Sequence, residues 1–315
     1  MQIPQIGCYD FHLEAKTDLH LPEYKGSTFR GGFGITLRRI VCALKRETCD
    51  ECMLRSKCIY AYVFDTSPPA ESDRLRNHRN IPQPFILEPP GETTMHYPPG
   101  RDLMFSFVLV GKALEYVPYF IFTVEEMGKA GIGKGRGLFI LKKVTSLSAE
   151  GPVPVFDGKD RKLFPENNDL QRVIEKKVDD LINAERIVLT FHTPTRIVSD
   201  DRFVSAPEFH HIIRSLSRRV SNLLYFHCAM EAPWDFKELI EKAEKVRVVN
   251  SRLEWNDWER YSKRQDTRMK MGGFTGTMIC EGDFASSALV LALGELLHVG
   301  KNASFGLGKY EVQVQ

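Results

Sequence analysis

Four of the seven cysteines, Cys42, Cys49, Cys52 and Cys58, crowd into the seventeen residues CALKRETCDECMLRSKC. Two thiolates separated by two residues can hold one ion from a tight knuckle, and two flanking thiolates complete four ligands. Lys45, Arg46, Arg55 and Lys57 would help keep those thiols ionised. A structural zinc is the first expectation. An iron–sulfur cluster also accepts four thiolates, and four unliganded cysteines are the bland alternative. With all four positions filled by protein, a zinc ion here would be structural and not catalytic. Cys8, Cys228 and Cys280 lie in apolar segments and read as core residues.

Basic residues gather in three other places. The segment RYSKRQDTRMK, residues 260–270, places Arg260, Lys263, Arg264, Arg268 and Lys270 around the single acid Asp266, with Tyr261 among them and Trp255 and Trp258 upstream. Cations attract phosphates and aromatic rings stack on unpaired bases, so the pattern suits RNA; a solvated charged loop is the alternative. The two remaining places are glycine-rich loops. GKAGIGKGRG, residues 128–137, carries Lys134 and Arg136, and LHVGKNASFGLGKYEV, residues 297–312, carries Gly306, Gly308, Lys301 and Lys309. Neither is a nucleotide-binding template, because each leads into a strand, and the first lacks the hydroxyl that a Walker loop needs. Bare backbone in such loops can approach a sugar-phosphate chain, or the glycines can serve turn geometry alone. His298, at the end of the last apolar helix, reads either as a capping or packed residue or as an acid–base group beside a bound phosphate.

The elements that position these residues follow from periodicity. The 315 residues are 43% hydrophobic and 27% charged with a net charge of +2, as for a globular protein large enough for two domains. Strands are expected at 3–16, 102–111 and 137–146, and helices at 28–44, capped by Thr28, and 115–129. A second series has a strand at 186–193, a helix at 207–228 opened by Pro207, and a helical insertion at 234–247. Extended segments at 250–257 and 273–282, a helix at 284–297 and a strand at 308–314 complete it. The expected fold class is α+β, a tandem of ferredoxin-like (RNA-recognition-motif-like) βαββαβ domains: 1–150 with the knuckle at 42–58, a linker at 151–184, and 185–315. The opening MQIPQIGCYDF has no signal-peptide pattern and no apolar run is long enough for a bilayer, so a cytoplasmic protein without a membrane partner is expected.

LPEYKGSTFRGGFGITLRRIVC with the knuckle behind it, FHTPTRI, RYSKRQDTRMKMGGFTG and GELLHVGKNASFGLGKYEV together resemble the CRISPR repeat-processing endoribonucleases of the repeat-associated mysterious protein (RAMP) superfamily. The resemblance implies cleavage of CRISPR repeat RNA without a catalytic metal. In that reaction the ribose 2′-hydroxyl attacks the adjacent phosphorus, leaving a 2′,3′-cyclic phosphate and a 5′-hydroxyl. Many relatives place a histidine near the first helix; here 28–44 contains none and His20 lies upstream. His298 matches the closing block and becomes the leading base or acid, with Lys301 steadying charge, Tyr261 as a second proton-transfer group and His20 next in line. A non-catalytic RNA-binding subunit of an RNA-guided effector complex is the rival expectation.

Overall fold

The computed structural model describes residues 3–45, 48–69, 71–76, 78–165, 170–199, 202–257, 259–262 and 267–315, with backbone alone at 259–262 and 267–270. The chain divides into two units. The N-terminal unit, Pro4–Leu170 with Phe226–Ala229, contains β1 (Ile6–Ala15), β2 (Leu19–His20), α1 (Gly26–Val41), α2 (Ile59–Val63), β3 (Phe85–Glu88), β4 (His96–Tyr97) and β5 (Asp102–Val110). It continues with α3 (Val117–Ala130), β6 (Phe139–Ser148), β7 (Gly151–Asp157) and β8 (Lys162–Leu163). Its main sheet is antiparallel with order β3-β5-β1-β6-β7-β8.

Strict alternation along β1 explains the layering. Tyr9, Phe11 and Leu13 are buried on one face while Asp10, His12 and Glu14 stay half-buried on the other. The buried face is covered by Phe29, Phe33 and Leu37 of α1, four residues apart, and by Val117, Phe120, Val124 and Met127 of α3. The Phe33 ring sits 4.9 Å from Phe107 and 4.8 Å from Phe120, centroid to centroid.

The C-terminal unit is built from Gln171–Tyr225 and Met230–Gln315. Its elements are α4 (Gln171–Ile182), β9 (Arg186–Thr195), β10 (Val198–Ser199), β11 (Arg202–Phe203), α5 (Phe209–Cys228, in this unit as far as Tyr225), α6 (Phe236–Ala243) and β12 (Arg247–Asn256). Then come β13 (Glu259–Ser262), β14 (Thr267–Lys270), β15 (Gly273–Glu281), α7 (Ala288–Leu297) and β16 (Tyr310–Val314). The main sheet, again antiparallel, runs β12-β15-β9-β16. In both units the core chain order is βαββαβ, and in both the second, third, first and fourth of those strands lie side by side.

Three expectations need correction. The stretch 151–184 is not a linker: β7 and β8 extend the N-terminal sheet, and α4 belongs to the C-terminal unit. Pro152 and Pro154 lack amide donors, but β7 meets β8 only at Phe156 and Asp157, so both prolines sit where β7 is an edge and needs no second donor. Helix α4 buries Ile174, Val178 and Leu181, a narrow stripe in a polar segment. Thr28 does not cap α1, which begins two residues earlier with Lys25 at the N-cap. Helix α5 starts at Phe209, two residues after Pro207.

Phe33 is fully buried within the aromatic layer. Phe33→Ala is expected to cost about 3–5 kcal/mol, read as a lowered denaturant midpoint with an unchanged m-value.

Candidate active site and nucleic-acid interface

In the N-terminal unit α3 ends at Ala130 and the chain turns into β6 through the first glycine-rich loop. Ile132 and Gly137 exchange both backbone hydrogen bonds at 3.0 Å, closing it tightly. Gly131, Gly133 and Gly135 stand at φ +77°, +72° and +82°, in the left-handed region. A β-carbon on Gly133 would collide with the His20 carbonyl, and one on Gly137 with the Asp18 carbonyl. The loop therefore lies directly on β2, and the Lys134 amide donates to the His20 carbonyl at 2.9 Å. A β-carbon on Gly135 would meet nothing within 4 Å, and this residue forms the tip between Lys134 and Arg136, all three exposed.

Strand β2 pairs with β4 so that His20 and His96 are directly opposite. Their imidazoles stack with centroids 4.7 Å apart and planes 9° from parallel. His96 Nε2 lies 2.7 Å from Asp18 Oδ1. A carboxylate only accepts, so Nε2 carries the proton and Nδ1 of the neutral ring keeps its lone pair. Both histidines are exposed. Two imidazoles on the paired strands β2 and β4, one oriented by a carboxylate and the other on the strand that meets the basic loop, are equipped to move protons at a bound phosphodiester. His96 and Asp18 were missed in the sequence, since 78 residues separate them and no local motif joins them.

The second glycine-rich loop, in the C-terminal unit, is built likewise. His298 follows α7 with φ +58° and ψ 160°, where Gly131 follows α3 with φ +77° and ψ 151°. A non-glycine residue in such a region costs about 1–3 kcal/mol. The His298 ring is completely buried, and its Nδ1–H donates to the Leu307 carbonyl at 3.1 Å. The leading acid–base candidate is thus a residue that holds the loop together, with no surface to offer a phosphate. A β-carbon on Gly308 would collide with the Val299 carbonyl, and Gly306, also buried, accepts at its carbonyl from Thr193 Oγ1 at 2.9 Å. Both glycines serve backbone packing. Lys301 is exposed, its Nζ 5.9 Å from the Phe203 ring centroid, and half-buried Lys309 donates its amide to Thr193 Oγ1 at 2.9 Å.

In the basic segment, β13 and β14 pair with Tyr261 opposite Arg268, Arg260 opposite Met269 and Glu259 opposite Lys270. Lys263 and Arg264 lie outside the described residues. In the knuckle, the Cys52 amide donates to the Cys49 carbonyl at 3.3 Å and the Cys58 amide to the Arg55 carbonyl at 3.3 Å, while the Cys42 amide closes the end of α1 on Arg38. Burial pushes the Cys49 thiol up, and the nearby Arg38 and Arg55 guanidinium groups pull it back. Four thiol donors fit a zinc-type ion in kind and spacing. Among the described residues, however, three His, Cys, Asp or Glu ligand atoms come within 4.8 Å of one another only at Glu208, His210 and His211, so the four sulfurs are not drawn into a closed cage. No described helix is long and apolar enough to cross a membrane.

Comparison with known proteins agrees with the mixed α+β architecture and its antiparallel sheets. Thermus thermophilus Cas6 superposes over 99% of this chain and 100% of its own with a TM-score of 0.55 at 16% identity. A Cas6 product complex gives 0.56 at 18% identity over 98% and 100%, and a chain of a partial Cas6-RT-Cas1–Cas2 complex gives 0.59 at 13%, over 100% of this chain and 47% of that one. An uncharacterized protein of Archaeoglobus fulgidus is 26% identical over 299 residues, 93% of each chain. Residues 3–168 match the family model described as the AF_1859_N N-terminal domain, and residues 189–310 match the CRISPR-associated endoribonuclease Cas6. The chain therefore belongs to the family of that N-terminal domain, whose model spans just over half of it, and its residues 189–310 are similar to Cas6.

If His298 is a backbone staple, the type of substitution matters. His298→Ala is expected to lose about 1–3 kcal/mol through the broken buried bond while keeping the strained φ. His298→Gly relieves that strain and is expected to lose less; equal losses by chemical denaturation would contradict the assignment.

Proposed function

We propose that this chain is an endoribonuclease that cuts CRISPR precursor RNA within its repeats, on two duplicated ferredoxin-like units. The stacked His20–His96 pair carries this reading, because it sets two exposed proton-transfer groups side by side on paired strands, the first of which meets the first glycine-rich loop. One imidazole takes the proton of the ribose 2′-hydroxyl as its oxygen attacks the adjacent phosphorus. The bond to the 5′-oxygen breaks, and the other imidazole returns a proton to that leaving group. The products are a 2′,3′-cyclic phosphate and a 5′-hydroxyl, and no metal is required at the reacting phosphate. Asp18 orients His96, and Lys134 and Arg136 at the loop tip offset charge on the phosphoryl oxygens.

In the C-terminal unit, Lys301, Lys309 and the segment with Arg260, Lys263, Arg264, Arg268 and Lys270 grip the RNA backbone. Tyr261 serves as a stacking group on unpaired bases. Cys42, Cys49, Cys52 and Cys58 would hold a structural zinc that braces the end of α1, remote in role from the reaction. The trimmed guide would pass to an RNA-guided effector complex. A Cas6 chain occurs in an assembly with RT, Cas1 and Cas2, which supports association with other CRISPR proteins.

Single-turnover cleavage of the cognate repeat RNA tests the proposal. His20→Ala or His96→Ala is expected to slow it by about 10²–10⁴-fold with RNA affinity kept, and the native rate is expected to persist in EDTA. Tight binding without cleavage by the native chain would leave an RNA-binding subunit instead. Elemental analysis is expected to find about one zinc per chain, lost on Cys49→Ser together with Cys52→Ser; iron, or no metal, contradicts the zinc assignment.

A further inference from the structure

Lys25 is completely buried, a rare state for lysine. Its Nζ donates to the Glu23 carbonyl at 3.0 Å and to the Glu92 carbonyl at 2.7 Å. Glu23 lies three residues after β2, and Glu92 four residues before β4, so one ammonium ties together the chain leaving the first strand and the chain entering the second. The same Glu92 accepts the Tyr97 hydroxyl at its carboxylate, 2.8 Å, and the Lys25 ammonium stands 6.0 Å from the Tyr97 ring centroid. The Leu21 amide adds a bond to the Met95 carbonyl at 2.8 Å. Each of β2 and β4 is only two residues long. A strand pair this short does not hold its own register in water.

We infer that Lys25 is a positioning residue, a buried clamp that keeps β2 and β4 in the register that stacks His20 on His96. This rests on the proposed catalytic role of that pair, and extends it to a residue that touches neither imidazole. The ammonium suits the task because it has three rotatable donors and can serve two carbonyls from different segments at once. Its isolation from water has a cost, seen in the direction of its pKa, which burial lowers and the Glu92 and Glu23 carboxylates partly restore. A methionine would fill the same space without that cost and without the clamp.

The test uses Lys25→Met in the full chain, with Tyr97→Phe as a second variant that removes only the hydroxyl bond to Glu92. The first readout is the NMR ring-proton shifts of His20 and His96, which carry the ring-current signature of a stacked pair. In Lys25→Met these signals are expected to move towards those of unstacked imidazoles, and in Tyr97→Phe to move less in the same direction. The second readout is single-turnover cleavage of repeat RNA, expected to fall on the order of 10²-fold in Lys25→Met with RNA affinity unchanged. Native histidine signals in a folded Lys25→Met protein overturn the inference; should that variant not fold, unchanged signals in Tyr97→Phe do so. Shifted signals together with full cleavage by His20→Ala would sink the catalytic reading and leave the clamp standing.

Discussion

The candidate site depends on one close approach of backbone to backbone. The loop after α3 presses on β2 so tightly that the Asp18 and His20 carbonyls occupy the space a side chain would need at Gly137 and Gly133. Without that contact the Lys134 amide would not reach the His20 carbonyl, and the basic tip would have no fixed relation to the histidine strand. Glycine is required at these positions for packing first. Only at the tip, Gly135, would a side chain meet open space.

The C-terminal unit solves the same problem with a different residue. Its loop also leaves a helix through a positive-φ residue and enters the last strand of a βαββαβ series, but the residue is His298 where the first unit has Gly131. The backbone strain is offset inside the loop by a buried hydrogen bond from the imidazole to Leu307. A histidine in a basic, glycine-rich segment can therefore be structural cement, and its residue type alone does not separate the two roles. Burial separates them: His298 is sealed, while His20 and His96 are open.

Much of the fold was legible in the sequence because the hydrophobic pattern is strong where the elements are long. Alternation in β1 and the four-residue spacing of Phe29, Phe33 and Leu37 state which faces are buried. Legibility failed where the signal was local and misleading. Pro152 and Pro154 hid an edge strand, and the polar face of α4 hid its narrow apolar stripe. At the site, His20 was visible as a candidate and the basic loops were visible as a repeat. His96 and Asp18 were not, because their relation to each other exists only through the pairing of two strands too short to announce themselves. Lys25 was equally hidden, as nothing in YKGSTF marks its lysine as a buried one.

The central claim is that His20 and His96 act as one proton-transfer unit on CRISPR repeat RNA. The most direct measurement is the single-turnover cleavage rate of the His20→Ala and His96→Ala proteins beside the double variant, at equal RNA occupancy. Groups that act as a unit are strongly non-additive, so the double variant is predicted to be scarcely slower than the slower single one. Losses that multiply would show two independent contributions, and native rates in all three would place the chemistry elsewhere in the molecule.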